Sequence, residues 1–481
     1  MLFNSIDFAI FLPIVFSLYW FVTNKDLKLQ NLLVLLASYF FYAFWDWRFL
    51  FLIVFTTIVD YSMALVLSKQ ENEAKRKLFL WIGIIINLCI LGFFKYYNFF
   101  IESFVDIFSF FGRSVHSRTL NIILPVGISF YIFQTMSYLI DVYKRKIGAT
   151  KDFVSFAAFV SFFPQVMAGP IERATNFLPQ FFVKRDFDYS KAVDGLRQML
   201  WGFFKKIVVA DNCSQVVDKI FNDYQMYPGS LLLIGAFFFS IQIYADFSGY
   251  SDIAIGCSRL FGFNLTRNFA FPYFSRDMAE FWRRWHISLT TWLKDYVYIP
   301  LGGSRCVKWK VIRNTFVIFL LSGLWHGANW TYIIWGALNA IYFLPLLIVG
   351  KNRKNLNVVA EDRFFPSVKE FFQMLFTFLL CMFAWIFFRA QSITDAIEYL
   401  KIIFSSSLFI VPETDYMRLI LNISIIATII LFVMEWIQRR NQHGLQIVPK
   451  QKVFRIILYL FLLFMMLTFG GNQQSFIYFQ F

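Results

Sequence analysis

Apolar stretches close to the roughly 20 residues needed to cross a bilayer's hydrocarbon core recur along this chain, and they leave few folds open to it. They fall at about residues 7 to 23, 30 to 46, 49 to 67, 78 to 95, 119 to 142, 230 to 247, 312 to 349 (long enough for two passes), 371 to 389, 418 to 437 and 453 to 470. Lipid offers no hydrogen bonds to the backbone, so runs of this kind fold as helices. Composition agrees: 58% of the 481 residues are hydrophobic, 16% are charged and the mean hydropathy is +0.58, whereas about a quarter of a soluble domain is charged. The expected fold is an all-α polytopic membrane protein of about ten to thirteen membrane helices with interfacial and re-entrant pieces, forming one membrane domain over 1–481.

A net charge of +15 and a pI near 9.5 would suit a nucleic-acid partner, but the cations sit in short loops between apolar runs. The positive-inside rule accounts for that placement, and no nucleic-acid partner is expected. The basic loops at 25–28, 69–77 and 144–146 follow the first, third and fifth runs, so they share one side, read as cytoplasmic. The N-terminus lacks a basic leader and a small-residue cleavage site, and it reads as an uncleaved first span. Five scattered cysteines without a Cys-x-x-Cys pair imply neither a disulfide framework nor a thiolate metal cluster.

The middle of the chain is less regular. Residues 153 to 167 are apolar but short and run into Phe163-Pro-Gln-Val-Met-Ala-Gly-Pro170, which opposes a continuous helix. A broken or re-entrant helix packed in protein is expected there. From Lys191 to Val208, apolar Val193, Leu196, Leu200, Phe203, Phe204 and Ile207 recur opposite Asp194, Arg197, Gln198 and Lys205. That pattern predicts a helix lying in the headgroup plane.

His326, in Ser322-Gly-Leu-Trp-His-Gly-Ala-Asn-Trp330, is the only His, Asp, Glu, Lys or Arg between 314 and 350. An ionisable group inside an apolar run is a functional candidate, and a neutral imidazole suits proton abstraction from a hydroxyl or thiol. A span beginning near Arg313 would put His326 at mid-span, with Gly323 and Gly327 admitting a backbone or ligand beside it. If Asp277 to Tyr296 is helical, Trp282, His286, Leu289 and Leu293 share one face and Arg276, Glu280, Arg283 and Lys294 another. The cationic face reads as an interfacial anchor or as a phosphate-binding floor. In Asp246-Phe-Ser-Gly-Tyr-Ser-Asp252, Asp252 reads as a helix cap, while Asp246 and Ser248 are open to a polar cavity wall. His286 and His326 match no local zinc spacing, so no metal is expected, and no glycine-rich nucleotide fingerprint or Gly-x-Ser-x-Gly elbow is present.

Asp246-Phe-Ser-Gly-Tyr-Ser-Asp, Phe281-Trp-Arg-Arg-Trp-His-Ile-Ser-Leu and Leu324-Trp-His-Gly-Ala-Asn-Trp together resemble the membrane-bound O-acyltransferase (MBOAT) family, closest to its alginate O-acetyltransferase-like branch. The opening Met1-Leu-Phe-Asn-Ser-Ile-Asp-Phe and Phe163-Pro-Gln-Val-Met-Ala-Gly-Pro-Ile-Glu172 carry the resemblance over nearly the whole chain. It implies a helical bundle with a central funnel, in a multi-pass protein of the bacterial cytoplasmic (inner) membrane. It implies transfer of an acetyl group from a cytoplasmic thioester, acetyl-CoA or another, toward an exported alginate-like polysaccharide or other surface glycan. A periplasmic or extracellular acetyltransferase would complete the modification, and no bound cofactor is implied. The family's invariant histidine maps onto His326 and its second polar position onto His286. His326 is then the expected base, with His286 donating a hydrogen bond or orienting the donor. Arg283, Arg284, Lys294, Asp246, Ser248, Trp325 and Asn329 are the expected substrate contacts. D-alanyl transfer to teichoic acid and peptidoglycan O-acetylation are the alternatives within the family, and a proton-coupled transporter is the one outside it.

Overall fold

The computed structural model describes residues 1–111, 119–474, 476 and 477, and among them every regular element is helical. Among the described residues, six helical stretches are long and apolar enough to cross a membrane: Leu27–Lys69, Glu73–Ser109, Gly229–Leu260, Trp330–Ile348, Val368–Arg389 and Arg418–Ile437. The chain is a multi-pass membrane protein. It divides into two compact units, residues 1–192 with 257–266 and residues 193–256 with 267–481.

The first unit holds α1 (Ile6–Ser17), α2 (Leu27–Asp46), α3 (Leu50–Lys69), α4 (Glu73–Leu91), α5 (Tyr97–Phe110), α6 (Ile128–Tyr143), α7 (Phe153–Ser161) and α8 (Ala174–Phe177). Arg76 reaches the carbonyls of Leu67 and Tyr143, at 2.7 Å each, and Arg145 pairs with Glu73 at 3.0 Å. The basic loops after α3 and α6 therefore share one end of this unit, as the charge pattern requires. The run at 119–142 is helical only from Ile128, because Gly127 takes a left-handed conformation and a Cβ there would meet the Val166 carbonyl at 2.3 Å. That carbonyl belongs to the segment in which α7 breaks. The Phe163 amide donates to Ser38 Oγ, and Gln165 Nε2 donates to Gln134 and to the Pro170 carbonyl. Phe162, Phe177, Phe181 and Phe263 pack ring to ring around it, with protein on every side.

The second unit begins within α9 (Tyr189–Phe203) and continues through a π-helical turn at Phe204–Ala210, α10 (Asp211–Asn222) and α11 (Gly229–Leu260). It goes on with α12 (Met278–Arg284), α13 (Ile287–Leu293), α14 (Lys308–His326), α15 (Trp330–Ile348), α16 (Val368–Arg389), α17 (Ile393–Ile403), α18 (Arg418–Ile437) and α19 (Lys452–Thr468). The headgroup-plane expectation for 191–208 fails on its polar face. Leu196 is exposed, whereas Gln198 and Lys205 are buried, both bonded to Asp252, Lys205 at 2.6 Å. Asp252 is no cap either, because α11 runs through it without interruption. Two adjacent lysines are thus held inside protein: Lys205 by Asp252 and Ser248, Lys206 by Asp211 and Asp246.

The 312–349 run folds as two helices, α14 and α15, joined by a three-residue turn at 327–329, and α15 is one of the six long apolar stretches. Glycines let these helices touch: a Cβ on Gly323 would lie 2.2 Å from the Tyr332 carbonyl oxygen, and one on Gly336 would lie 2.4 Å from that of Phe319. We expect Gly323→Ala to destabilise the protein by about 1–3 kcal/mol through overpacking. A lowered melting temperature in detergent is the check, and an unchanged one would show that the hairpin can open at no cost.

Candidate active site

The helix expected over Asp277 to Tyr296 is interrupted at its most informative residue. Segment 268–270 lies against the chain and bonds on both sides of the break: the Ala270 amide donates to the Arg284 carbonyl and the Ile287 amide to that of Asn268, each at 2.9 Å. One helix therefore ends at Arg284, with the Trp285 amide closing its last turn on Phe281, and the next starts at Ile287. His286 bridges the gap in a left-handed conformation (φ 42°, ψ 55°), which costs an L-residue about 1–2 kcal/mol and is enriched at functional positions. Its imidazole is buried, with Nδ1 at 3.1 Å from Asn268 Oδ1. Burial pushes this histidine down to about 3, so the ring is neutral at physiological pH.

His326 is the last residue of α14 and lies at the hairpin turn, so the mid-span expectation is corrected. Helix continuation ends there because Gly327 is extended and Asn329 caps α15 by accepting from the Thr331 amide. The two imidazoles nevertheless meet, with ring centroids 6.3 Å apart. That is wider than a direct ring-to-ring hydrogen bond, which brings centroids to about 5 Å. Trp325 lies beside both, 5.5 Å from His286 and 5.1 Å from His326. Trp335 and Phe388 close on His326 at 5.1 and 5.2 Å, and Phe247 meets His286 edge-on at 4.7 Å. Behind them Trp385 packs on both Trp335 and Trp285. Two neutral-capable bases in a dry aromatic nest can move a proton and keep water from a labile ester or thioester.

The other expected contacts are distributed differently. Trp325 is in the nest, but Asn329 is engaged as the α15 cap and donates to the Gln391 carbonyl. Asp246 pairs with Lys206 and accepts from the Ile477 amide, while Ser248 accepts from Lys205, so both belong to the buried charge network. Arg283 directs its fork at the carbonyls of Asn352 and Asn355, and Arg284 pairs with Glu280 at 2.8 Å, which also holds Arg276. Lys294 is exposed in the π-helical turn that follows α13. Among the described residues no group of three His, Cys, Asp or Glu side chains could hold a metal.

Asn268 was missed from the sequence. It lies in an irregular stretch between helices, and an asparagine there carries no signal of its own. The Lys205-Lys206 pair did carry one: two cations within an otherwise apolar run require counter-ions.

The chain is similar to known membrane acyltransferases. Residues 80–393 match the model of the membrane-bound O-acyltransferase family, MBOAT. The chain is 40% identical over 409 residues to the probable alginate O-acetylase AlgI of Pseudomonas aeruginosa, covering 84% of this chain and 75% of that one. It is 36% identical over 430 residues to a peptidoglycan O-acetyltransferase of Helicobacter pylori, covering 83% and 79%. Over 243 residues it is 28% identical to a teichoic acid D-alanyltransferase of Bacillus subtilis, covering 47% and 60%. The chain belongs to the membrane-bound O-acyltransferase family and is an acyltransferase.

Proposed function

We propose that this protein moves an acetyl group from a thioester on the cytoplasmic side across the membrane, through an acceptor hydroxyl, for O-acetylation of an exported polysaccharide. The observation that carries this reading is the burial of His286 and His326 in one aromatic nest, 6.3 Å apart, in a chain alike over most of its length to a named polysaccharide O-acetylase. His326 takes the proton from the attacking hydroxyl. The hydroxyl oxygen bonds to the acetyl carbon, the carbon–sulfur bond breaks, and the proton passes to the departing sulfur. The surrounding Trp and Phe rings exclude the water that would hydrolyse the donor. Acetyl-CoA or another acyl thioester supplies the group, and exposed Arg283 and Lys294 are the cations that would meet donor phosphates. The protein resides in the bacterial inner membrane, and a periplasmic or extracellular acetyltransferase completes the modification.

A strain lacking the protein should lose base-labile acetyl ester from its exported polysaccharide and keep that of its peptidoglycan. Loss from peptidoglycan alone would assign the activity named for the Helicobacter relative. Unchanged acetyl ester in both polymers would contradict acetyl transfer and reopen D-alanyl transfer.

A further inference from the structure

We propose that Asn268 is a positioning residue for this reaction: it locks His286 as the tautomer protonated on Nδ1, so that His286 meets the reacting groups as a hydrogen-bond acceptor at Nε2. The inference rests on the acyl-transfer reading above. Two contacts decide the tautomer. One side-chain amide atom of Asn268 lies 3.3 Å from the Ser288 backbone nitrogen, and that N–H can only donate. The atom facing it must therefore be the oxygen, since the rotated amide would set NH2 against N–H. The same oxygen lies 3.1 Å from His286 Nδ1, and an amide oxygen can only accept, so Nδ1 carries the hydrogen. A neutral imidazole has one N–H, which leaves the lone pair on Nε2.

Asn268 is itself fixed. It is fully buried, its Oδ1 also accepts from Ser288 Oγ at 2.9 Å, and its Nδ2 donates to Ser251 Oγ on α11 at 3.2 Å. Its backbone carbonyl accepts from Ile287, directly after the left-handed turn that aims the imidazole. The sequence-based expectation that His286 donates a hydrogen bond is reversed by this arrangement, because its one N–H is given to Asn268.

Nitrogen-15 spectroscopy of histidine-labelled protein in lipid tests the tautomer without relying on activity. The chain has four histidines, and His286→Gln identifies the signal. At neutral pH the His286 ring should show a protonated Nδ1 and a bare Nε2; a protonated Nε2 would overturn the proposal. Activity tests the positioning role, in membrane vesicles given labelled acetyl-coenzyme A. Asn268→Ala should lower acetyl transfer by roughly ten-fold or more. Asn268→Asp keeps an oxygen for Nδ1–H and Ser288, lets the Ser251 hydroxyl turn to donate, and should restore much of the rate. Its added charge favours the protonated ring, so the acidic limb of the pH–rate profile should move to higher pH. Wild-type activity in Asn268→Ala, or an unmoved profile in Asn268→Asp, would refute positioning. If His286→Gln itself transfers acetyl at the wild-type rate, the positioning role is refuted; if the wild-type protein transfers no acetyl while the tautomer is as stated, the acyl-transfer reading has failed and the tautomer assignment has not.

Discussion

His326→Ala should reduce the acetyl ester of the exported polysaccharide to the level of a strain lacking the protein, with the variant inserted in the membrane at the wild-type amount. A positioned base contributes about 10²–10⁴ in rate, which is enough to bring ester to background. Loss of function should not come from loss of fold. His326 ends α14 at a turn whose termination is fixed independently by Gly327 and the Asn329 cap, and replacing a ring in the nest leaves the helices in place. The cavity does lower stability somewhat, so melting in detergent has to be measured beside ester content. A well-folded His326→Ala protein that still acetylates would remove His326 from the chemistry.

The largest effect on stability is expected at Lys206. Its ammonium lies 2.8 Å from Asp211 and 2.9 Å from Asp246, it donates to the Gln474 carbonyl, and all three ionic side chains are buried. Lys206→Met leaves two buried carboxylates facing each other without their cation, a change that costs about 3–5 kcal/mol. Domains are stable by only about 5–15 kcal/mol, so the variant should melt far below wild type or fail to accumulate. Neutralising the carboxylates with Asp211→Asn and Asp246→Asn in the same chain should recover part of the loss. Lys206→Met melting with the wild type would show that the lysine has no such role. Asp246 accounts for the coupling of this cluster to the C-terminal segment, through the Ile477 amide.

The elements that lipid dictates were legible from the sequence, because a run of about 20 apolar residues has only the helix open to it. The helices α2–α4, α11, α15, α16 and α18 follow from that alone. Periodicity was less informative once helices packed against protein on several sides. Over Lys191 to Val208 it marked a polar face, yet Lys205 and Gln198 on that face point inward to Asp252, because their partners lie more than forty residues away in α11. A helical wheel cannot report such long-range pairing.

The two histidines were identified from their setting, but their surroundings were not. Nothing in Asp277 to Tyr296 indicates that the helix stops at Arg284, since the stop is imposed by hydrogen bonds from segment 268–270. For the same reason, polar residues that the sequence alone puts near substrate serve the fold elsewhere. Arg284 holds Glu280, Asn329 caps α15, and Asp246 and Ser248 hold lysines. Asn268 acquires its part only because the break in the helix brings His286 and Ser288 to it.

The most direct test of the central claim follows one labelled acetyl group across the membrane. Inverted vesicles from cells that make the polysaccharide, carrying either the wild-type protein or His326→Ala, would be given acetyl-coenzyme A or an acetylated carrier protein labelled in the acetyl group. With the wild-type protein, label should become enclosed in the vesicle as hydroxylamine-sensitive ester; with His326→Ala, none should. Equal transfer by the two, or no protein-dependent label from either thioester, would contradict acyl transfer at the paired histidines.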